Sequence, residues 1–305
     1  MATKIIFLIL PNTHLMDLAG PDQVFLEAID FGADLKIEYC SYANNISTSA
    51  GLPFGKMQHF SKVNYKKGDF LFIPGADIAF LHSSEFTKQK ALLNWIKKCY
   101  EEKVIICSVC TGSFVLALSG ILDGKNCTTH WKRTTELQKM YPKLQVIENV
   151  LFTQEDGIYT SAGIASGLDM ALHIVEELKN EYFAHKVARE LVIYNRRKGS
   201  QSQHSVYTNY RNHIHTGIHA VQDWLQENLH KKVSLVELAA MASMSDRNLT
   251  RIFKKETGLT VNAYINLLRK EKINELLNHP DLSRTQIAKQ VGLKSERHVS
   301  RIIHQ

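Results

Sequence analysis

The chain has 305 residues, more than one typical domain, and its 44% hydrophobic content is ample for buried cores. The net charge of +7 is uneven: 15 Lys and Arg stand against 9 Asp and Glu from Val206 onward (+6), and 22 against 21 before it (+1). No apolar stretch is long enough for a membrane span, and five cysteines, an odd number, do not make a disulfide framework. Met1-Ala2-Thr3-Lys4 and the short apolar run after it lack a signal-peptide layout, so a cytoplasmic location, without membrane attachment, is expected.

Residues 5–10 form a short apolar run ending at Pro11, as expected of a strand buried on both faces. Residues 35–40, 70–73 and 104–107 read the same way, and 144–147 and 158–160 are weaker candidates. Helical stretches fall between them, at 87–101, 114–118 and 167–178. Such alternation predicts an α/β domain with a mainly parallel sheet and helices on its faces. Ligands of such sheets sit beyond the carboxyl ends of the strands, so the loops after Leu10, Ile73 and Val109 are where chemistry is expected.

The third loop is the sharpest. Ile105-Ile106-Cys107-Ser108-Val109-Cys110-Thr111-Gly112-Ser113 reads as a buried strand, a tight turn and a helix, the layout of a nucleophile elbow. A helix N-terminus lowers a thiol pKa and its N–H groups can hold an oxyanion, and Cys110 is placed to benefit. The same pattern also suits a small buried residue at a crowded turn. His130, in Thr128-Thr129-His130-Trp131, is the natural partner for a thiolate, and Asp17 could supply a carboxylate. Cys107 and Cys110 form a C-x-x-C, but Cys107 belongs to the strand, which disfavours a thioredoxin-like site.

A polar, basic stretch at 196–204 lacks apolar periodicity and predicts a connector, giving a first domain at 1–197, a linker at 198–213 and a second domain at 214–305. His213, His215 and His219 are spaced i, i+2, i+6; positions two apart do not share a helical face, so no metal site is expected there, nor any cofactor elsewhere. Ile218, Val221, Trp224 and Leu225 open an amphipathic helix, with Trp224 in the second core.

The tail carries one pattern twice. Leu235, Leu238, Ala239 and Ala242 precede a break at Ser243-Met244-Ser245, followed by Leu249, Ile252 and Phe253. Ile287, Ala288 and Val291 precede a break at Gly292-Leu293, followed by Val299, Ile302 and Ile303. Each copy predicts two short helices joined by a tight turn, a helix-turn-helix, with Ser245 and Ser295 as caps of the second helices. The outward faces of those second helices carry Arg247, Thr250, Arg251 and Arg297, Ser300, Arg301, side chains suited to base edges and phosphates.

Leu15-Met16-Asp17-Leu18-Ala19-Gly20-Pro21, Ile73-Pro74-Gly75-Ala76, the Cys110 loop, Thr128-Thr129-His130-Trp131 and Thr160-Ser161-Ala162-Gly163 occur in the order seen in the ThiJ/PfpI group, which they resemble over residues 4–195. That group has the class I glutamine-amidotransferase-like fold, so the resemblance implies a flavodoxin-like parallel sheet between helices. The tail, including Phe253-Lys254-Lys255-Glu256-Thr257-Gly258-Leu259-Thr260, resembles the AraC/XylS DNA-binding domain, with a long helix at 261–278 between its two helix-turn-helices. Together they resemble the ThiJ/PfpI-type branch of AraC-family transcriptional regulators.

The resemblance implies a Cys110, His130, Asp17 set and an anion site from backbone N–H groups near Gly75 and Thr111, with Ala76, His130 and Gly163 lining a ligand pocket. It implies double-stranded DNA, a small-molecule effector and a second copy of the chain as partners, and a regulator, not an enzyme. Two alternatives remain open: a cysteine-dependent enzyme on small carbon–nitrogen compounds, like the isonitrile hydratases, or a redox-sensing regulator using Cys110. Three departures stand out. Ala76 replaces a common second Gly, Ser243 stands where the first turn often has Gly, and the chain stops just after the second reading helix.

Overall fold

The computed structural model describes residues 2–193, 196–200, 203, 206–277 and 282–303. They divide into two compact units, Met1–Gln203 and His204–Gln305.

The strands of the first unit are β1 (Thr3–Leu8), β2 (Leu35–Ser41), β3 (Gln58–His59), β4 (Phe70–Ile73), β5 (Ile105–Val109), β6 (Asn126–Cys127), β7 (Gln145–Val146), β8 (Phe152–Glu155) and β9 (Ile158–Ser161). Its helices are α1 (Leu15–Asp30), α2 (Ile78–His82), α3 (Ser84–Thr87), α4 (Lys90–Glu101), α5 (Gly112–Ser119), α6 (Thr134–Met140), α7 (Ala165–Leu178) and α8 (Glu181–Glu190). The main sheet has the order β3-β2-β1-β4-β5-β9-β8. Its pairs are parallel except β8 with β9, which is antiparallel. The weak candidate at 144–147 is a strand, but β7 pairs with β6 outside the main sheet.

Both faces of the sheet are covered, which is why its strands read as unbroken apolar runs. Along β1 and the residues after it, Ile5, Phe7 and Ile9 enter the core that includes Val24 and Phe25 of α1 and Met170 and Ile174 of α7. Ile6, Leu8 and Leu10 enter the opposite core, with Leu92 and Ile96 of α4 and Val115 of α5. Each fully buried side chain of this kind contributes about 1.5–3 kcal/mol. The sheet order makes β1, β4, β5 and β9 consecutive neighbours. Their carboxyl-terminal loops therefore open side by side, although they are far apart in sequence.

The second unit is helical: α9 (Val206–Asn209), α10 (Thr216–Glu227), α11 (Leu235–Met241), α12 (Asp246–Thr257), α13 (Val261–Leu276), α14 (Arg284–Gln290) and α15 (Glu296–Ile303). It has two small cores. Val261, Tyr264 and Leu268 of α13 pack with Leu238, Leu249 and Phe253, and Trp224 lies partly buried against them. Ile273 and Leu276, further along α13, pack with Ile287, Val291, Val299 and Ile302. One long helix thus belongs to both helix-turn-helices, and Asn278, its expected last residue, lies outside the described residues.

The stretch read as a linker is shared between the units. Gly199 accepts hydrogen bonds at its carbonyl from the N–H groups of Leu151 (2.8 Å) and Phe152 (3.2 Å) in the first unit. Val206 donates its N–H to Glu271 Oε2 of α13 at 2.8 Å in the second. Residues 201, 202, 204 and 205 of that stretch lie outside the described residues.

Candidate functional site

Cys110 sits at the turn between β5 and α5 with φ +56°, a left-handed conformation that a non-glycine residue adopts only under constraint. The constraint comes from neighbouring loops. Its carbonyl accepts from Thr129 Oγ1 at 2.9 Å, and its N–H donates to the Ser161 carbonyl at 2.9 Å. The Thr111 hydroxyl donates to the Ala76 carbonyl (2.7 Å) and accepts from the Ala76 N–H (3.0 Å), tying the elbow to the loop after β4. That bond occupies the Ala76 N–H, so this group is not open to an anion.

Asp17, in the first turn of α1, has a fully buried side chain. Its Oδ1 accepts from the Ile164 N–H at 2.7 Å, and its Oδ2 lies 3.3 Å from His14 Nδ1. Ile164 has φ +37°, so a β-branched residue is held in the left-handed region beside this carboxylate. Among the described residues, one group of three metal-capable side chains converges: His14, Asp17 and Cys110, with one donor atom of each within 4.8 Å of the others. His14, which carried no expectation from the sequence, is thus brought beside Asp17 and Cys110, while His130 lies close enough to feel the charges of Asp17 and His14.

His130 is half-buried. Its ring accepts from the Lys132 N–H at 3.4 Å, and it is itself the residue before a short helical turn. Burial holds its pKa below the ordinary histidine value, partly opposed by the charge of Asp17. His14 behaves oppositely: the hydrogen bond with Asp17 raises its pKa against the effect of burial. Burial pushes the Cys110 thiol well above its ordinary range, and the Asp17 charge adds to this; hydrogen bonding to Thr111 opposes it. The elbow thus favours a neutral thiol, contrary to the thiolate expected from the helix N-terminus alone, because desolvation and a carboxylate outweigh a few N–H dipoles. Gly75 and Gly163 lie against this group: a Cβ on Gly75 would come within 2.5 Å of Asp17 Oδ2, and one on Gly163 within 2.8 Å of Cys110 Cβ.

In the second unit both first helices open with the same device. Ser234 with Glu237, and Ser283 with Gln286, form reciprocal capping boxes. Ser243 has φ +55° and Gly292 φ +69° at equivalent points of the two turns. Ser245 caps α12 by accepting from the Asn248 N–H. Ser295 instead has its hydroxyl 3.3 Å from His298 Nδ1.

Leu249 and Phe253 anchor α12, leaving Arg247, Thr250, Arg251, Lys254 and Lys255 exposed. Arg251 Nη2 donates to Asn248 Oδ1 at 3.0 Å, and the Thr250 hydroxyl to the Asp246 carbonyl at 2.9 Å. On α15, Val299 and Ile302 are buried, Arg297 and Arg301 exposed, and Ser300 half-buried. Lys254 and Lys255 extend the basic face by a turn, a continuation of helical spacing that the sequence reading used only as a family link. His213 and His219 do meet, with ring centroids 4.5 Å apart.

An α/β unit with a cysteine elbow thus shares its chain with a unit of two helix-turn-helices on one long helix, the architecture of a DNA-binding protein with an added α/β domain. Residues 3–177 match the DJ-1/PfpI family and residues 238–305 the helix-turn-helix domain, and the chain belongs to the DJ-1/PfpI family. Over 97% of its length it is 27% identical to the HTH-type transcriptional regulator CdhR of Pseudomonas aeruginosa, covering 86% of that protein. Over 58% it is 31% identical to an isonitrile hydratase of Pseudomonas putida, covering 73% of that enzyme. Of the regulator GbdR of Pseudomonas aeruginosa the chain spans about half, 53%. The crystal structure of an AraC family transcriptional regulator from Pseudomonas putida matches 62% of this chain and 99% of its own at 17% identity, TM-score 0.53, a likeness of fold. No helix among the described residues is long and apolar enough to cross a membrane.

Proposed function

We propose that the chain is a sequence-specific DNA-binding transcriptional regulator of the cytoplasm, acting as a homodimer whose first domain (1–197) binds a small effector at the Cys110 loop. The observation that carries this is the pair of helix-turn-helices on α13, each presenting arginines opposite a buried apolar seam. Arg247, Thr250 and Arg251 would read one major-groove segment and Arg297, Ser300 and Arg301 the next, about one helical turn away. Lys254 and Lys255 are suited to phosphates, which set affinity without sequence preference.

A physical route from effector to DNA runs through the end of the first unit. Gln203 Nε2 donates to the Thr129 carbonyl at 3.2 Å, and the same Thr129 holds the Cys110 carbonyl. Arg197 pairs with buried Asp169 of α7 through Nη2 at 2.6 Å, and α7 begins at the turn that Asp17 holds. An effector that moves either contact alters how the chain leaves the first domain, by as much as its affinity differs between the two states.

Selection of binding sites from random duplexes with the intact protein, followed by a salt titration, tests the reading. A motif spanning two major-groove segments with a steep salt slope supports it; no enrichment rejects it. The second reading, a cysteine-dependent enzyme acting on small carbon–nitrogen compounds, draws on the Cys110–Asp17 pairing and the relative named isonitrile hydratase. The raised thiol pKa weighs against it, since a nucleophilic sulfur needs its proton removed.

A further inference from the structure

We propose that His14, Asp17 and Cys110 bind one thiophilic divalent cation of the zinc class; that it acts as the effector rests on the regulator reading above. The three donors are a sulfur, an imidazole nitrogen and a carboxylate oxygen, each within 4.8 Å of the other two. Four-coordinate zinc holds such donors at about 2.0–2.3 Å, leaving them roughly 3.5 Å from each other. His14 Nδ1 and Asp17 Oδ2 already lie 3.3 Å apart, and no pair in the cluster needs to close by more than about 1.3 Å.

Charge and space both favour a bare cation. Thiolate and carboxylate carry two negative charges and the imidazole none, matching a divalent ion. The glycine walls lie so close that a Cβ on Gly75 would stand 2.5 Å from Asp17 Oδ2, and one on Gly163 3.0 Å from Cys110 Sγ. Side chains longer than glycine at either position would crowd the donors themselves. Carboxylate ligands of metals are themselves held by hydrogen bonds, and Asp17 is: Oδ1 takes the Ile164 N–H at 2.7 Å, leaving Oδ2 facing His14. Three protein donors leave the fourth position to water. On coordination the Cys110 S–H proton passes to solvent and a sulfur–metal bond forms; nothing is oxidised or reduced.

The test is a Co²⁺ titration of the reduced, metal-stripped full-length protein, read by the thiolate-to-cobalt charge-transfer band. One equivalent should saturate the band and Zn²⁺ should displace it. Cys110→Ser should abolish the band. His14→Ala, at a half-exposed position that tolerates truncation, should weaken affinity by at least the ~10–100-fold seen when only an outer-shell partner is lost. Asp17→Asn should do the same, with circular dichroism checking that each variant folds. No band, or one that survives Cys110→Ser, overturns the cation site. Site selection is scored separately, with the protein both metal-free and zinc-loaded, and counts as enrichment if either state yields a motif. Enrichment without cobalt binding removes the cation and keeps the regulator; cobalt binding without enrichment keeps the cation site and removes the regulator.

Discussion

The two units keep their functional groups in opposite environments. In the first, Asp17 and Cys110 are buried, and Cys110 itself and Ile164, which binds Asp17, hold positive-φ backbones. In the second, Arg247, Arg251, Arg297 and Arg301 are exposed on helices whose stability comes from the opposite face. The lesson is that stability and the proposed function share the same atoms at the elbow and use different atoms on the helices proposed to read DNA. Substitutions should therefore unfold or distort the first site and leave the second folded but blind.

The largest effect should come from filling the space beside the elbow. Gly163→Ala puts a methyl 2.8 Å from Cys110 Cβ at φ +115°, and should cost about 2–4 kcal/mol in urea unfolding of the first unit. The second unit has one position of this kind. A Cβ on Gly292 would meet the Leu229 carbonyl at 2.7 Å, so Gly292→Ala should cost about 1–3 kcal/mol; a loss under half a kilocalorie would break the comparison.

Arg251→Ala should weaken specific DNA binding by about 1–3 kcal/mol and relax the motif, with unfolding free energy unchanged within about 0.5 kcal/mol. Lys254→Ala should weaken all sequences alike and lower the salt slope by about one unit. Unchanged specific affinity in Arg251→Ala would remove α12 from the role of reading helix.

Ser243→Gly, at an exposed turn with φ +55°, should stabilise the second unit by about 0.5–1 kcal/mol. Ser243 and Gly292 thus separate two reasons for glycine, backbone preference alone and close approach by another segment.

The smallest effect concerns pH. The folded pKa of His14 lies above 6.5, so its pairing with Asp17 stabilises fully below about pH 6.5 and fades as pH rises through the folded value. A histidine titration by NMR should show His14 titrating above 6.5 and returning toward it in Asp17→Asn. An unmoved His14 would mean the two side chains do not interact.

Much of the chain was legible because local chemistry and tertiary structure agree. Apolar runs at 5–10, 70–73 and 104–107 declared strands covered on both faces, and Leu238, Leu249 and Phe253 declared helices with one buried stripe. The turns announced themselves through Ser243-Met244-Ser245 and Gly292, whose geometry is set within a few residues. The exposed faces carrying Arg247, Arg251, Arg297 and Arg301 followed from the same 3.6-residue period.

That His14 joins Asp17 and Cys110 was not legible. His130 and His14 both follow strands, and nothing local distinguishes them, although His14 and Asp17 share the i, i+3 spacing of a helix start. Which side chains converge at the sulfur depends on β1, β4, β5 and β9 lying side by side, an order set by long-range pairing. The thiol's protonation is likewise a tertiary property: a helix N-terminus argues for a thiolate, but burial around Cys110 and the carboxylate beside it reverse the sign. Period and turn chemistry act over a few residues and so can be read along a chain; desolvation and charge act through space, and only the folded chain decides them.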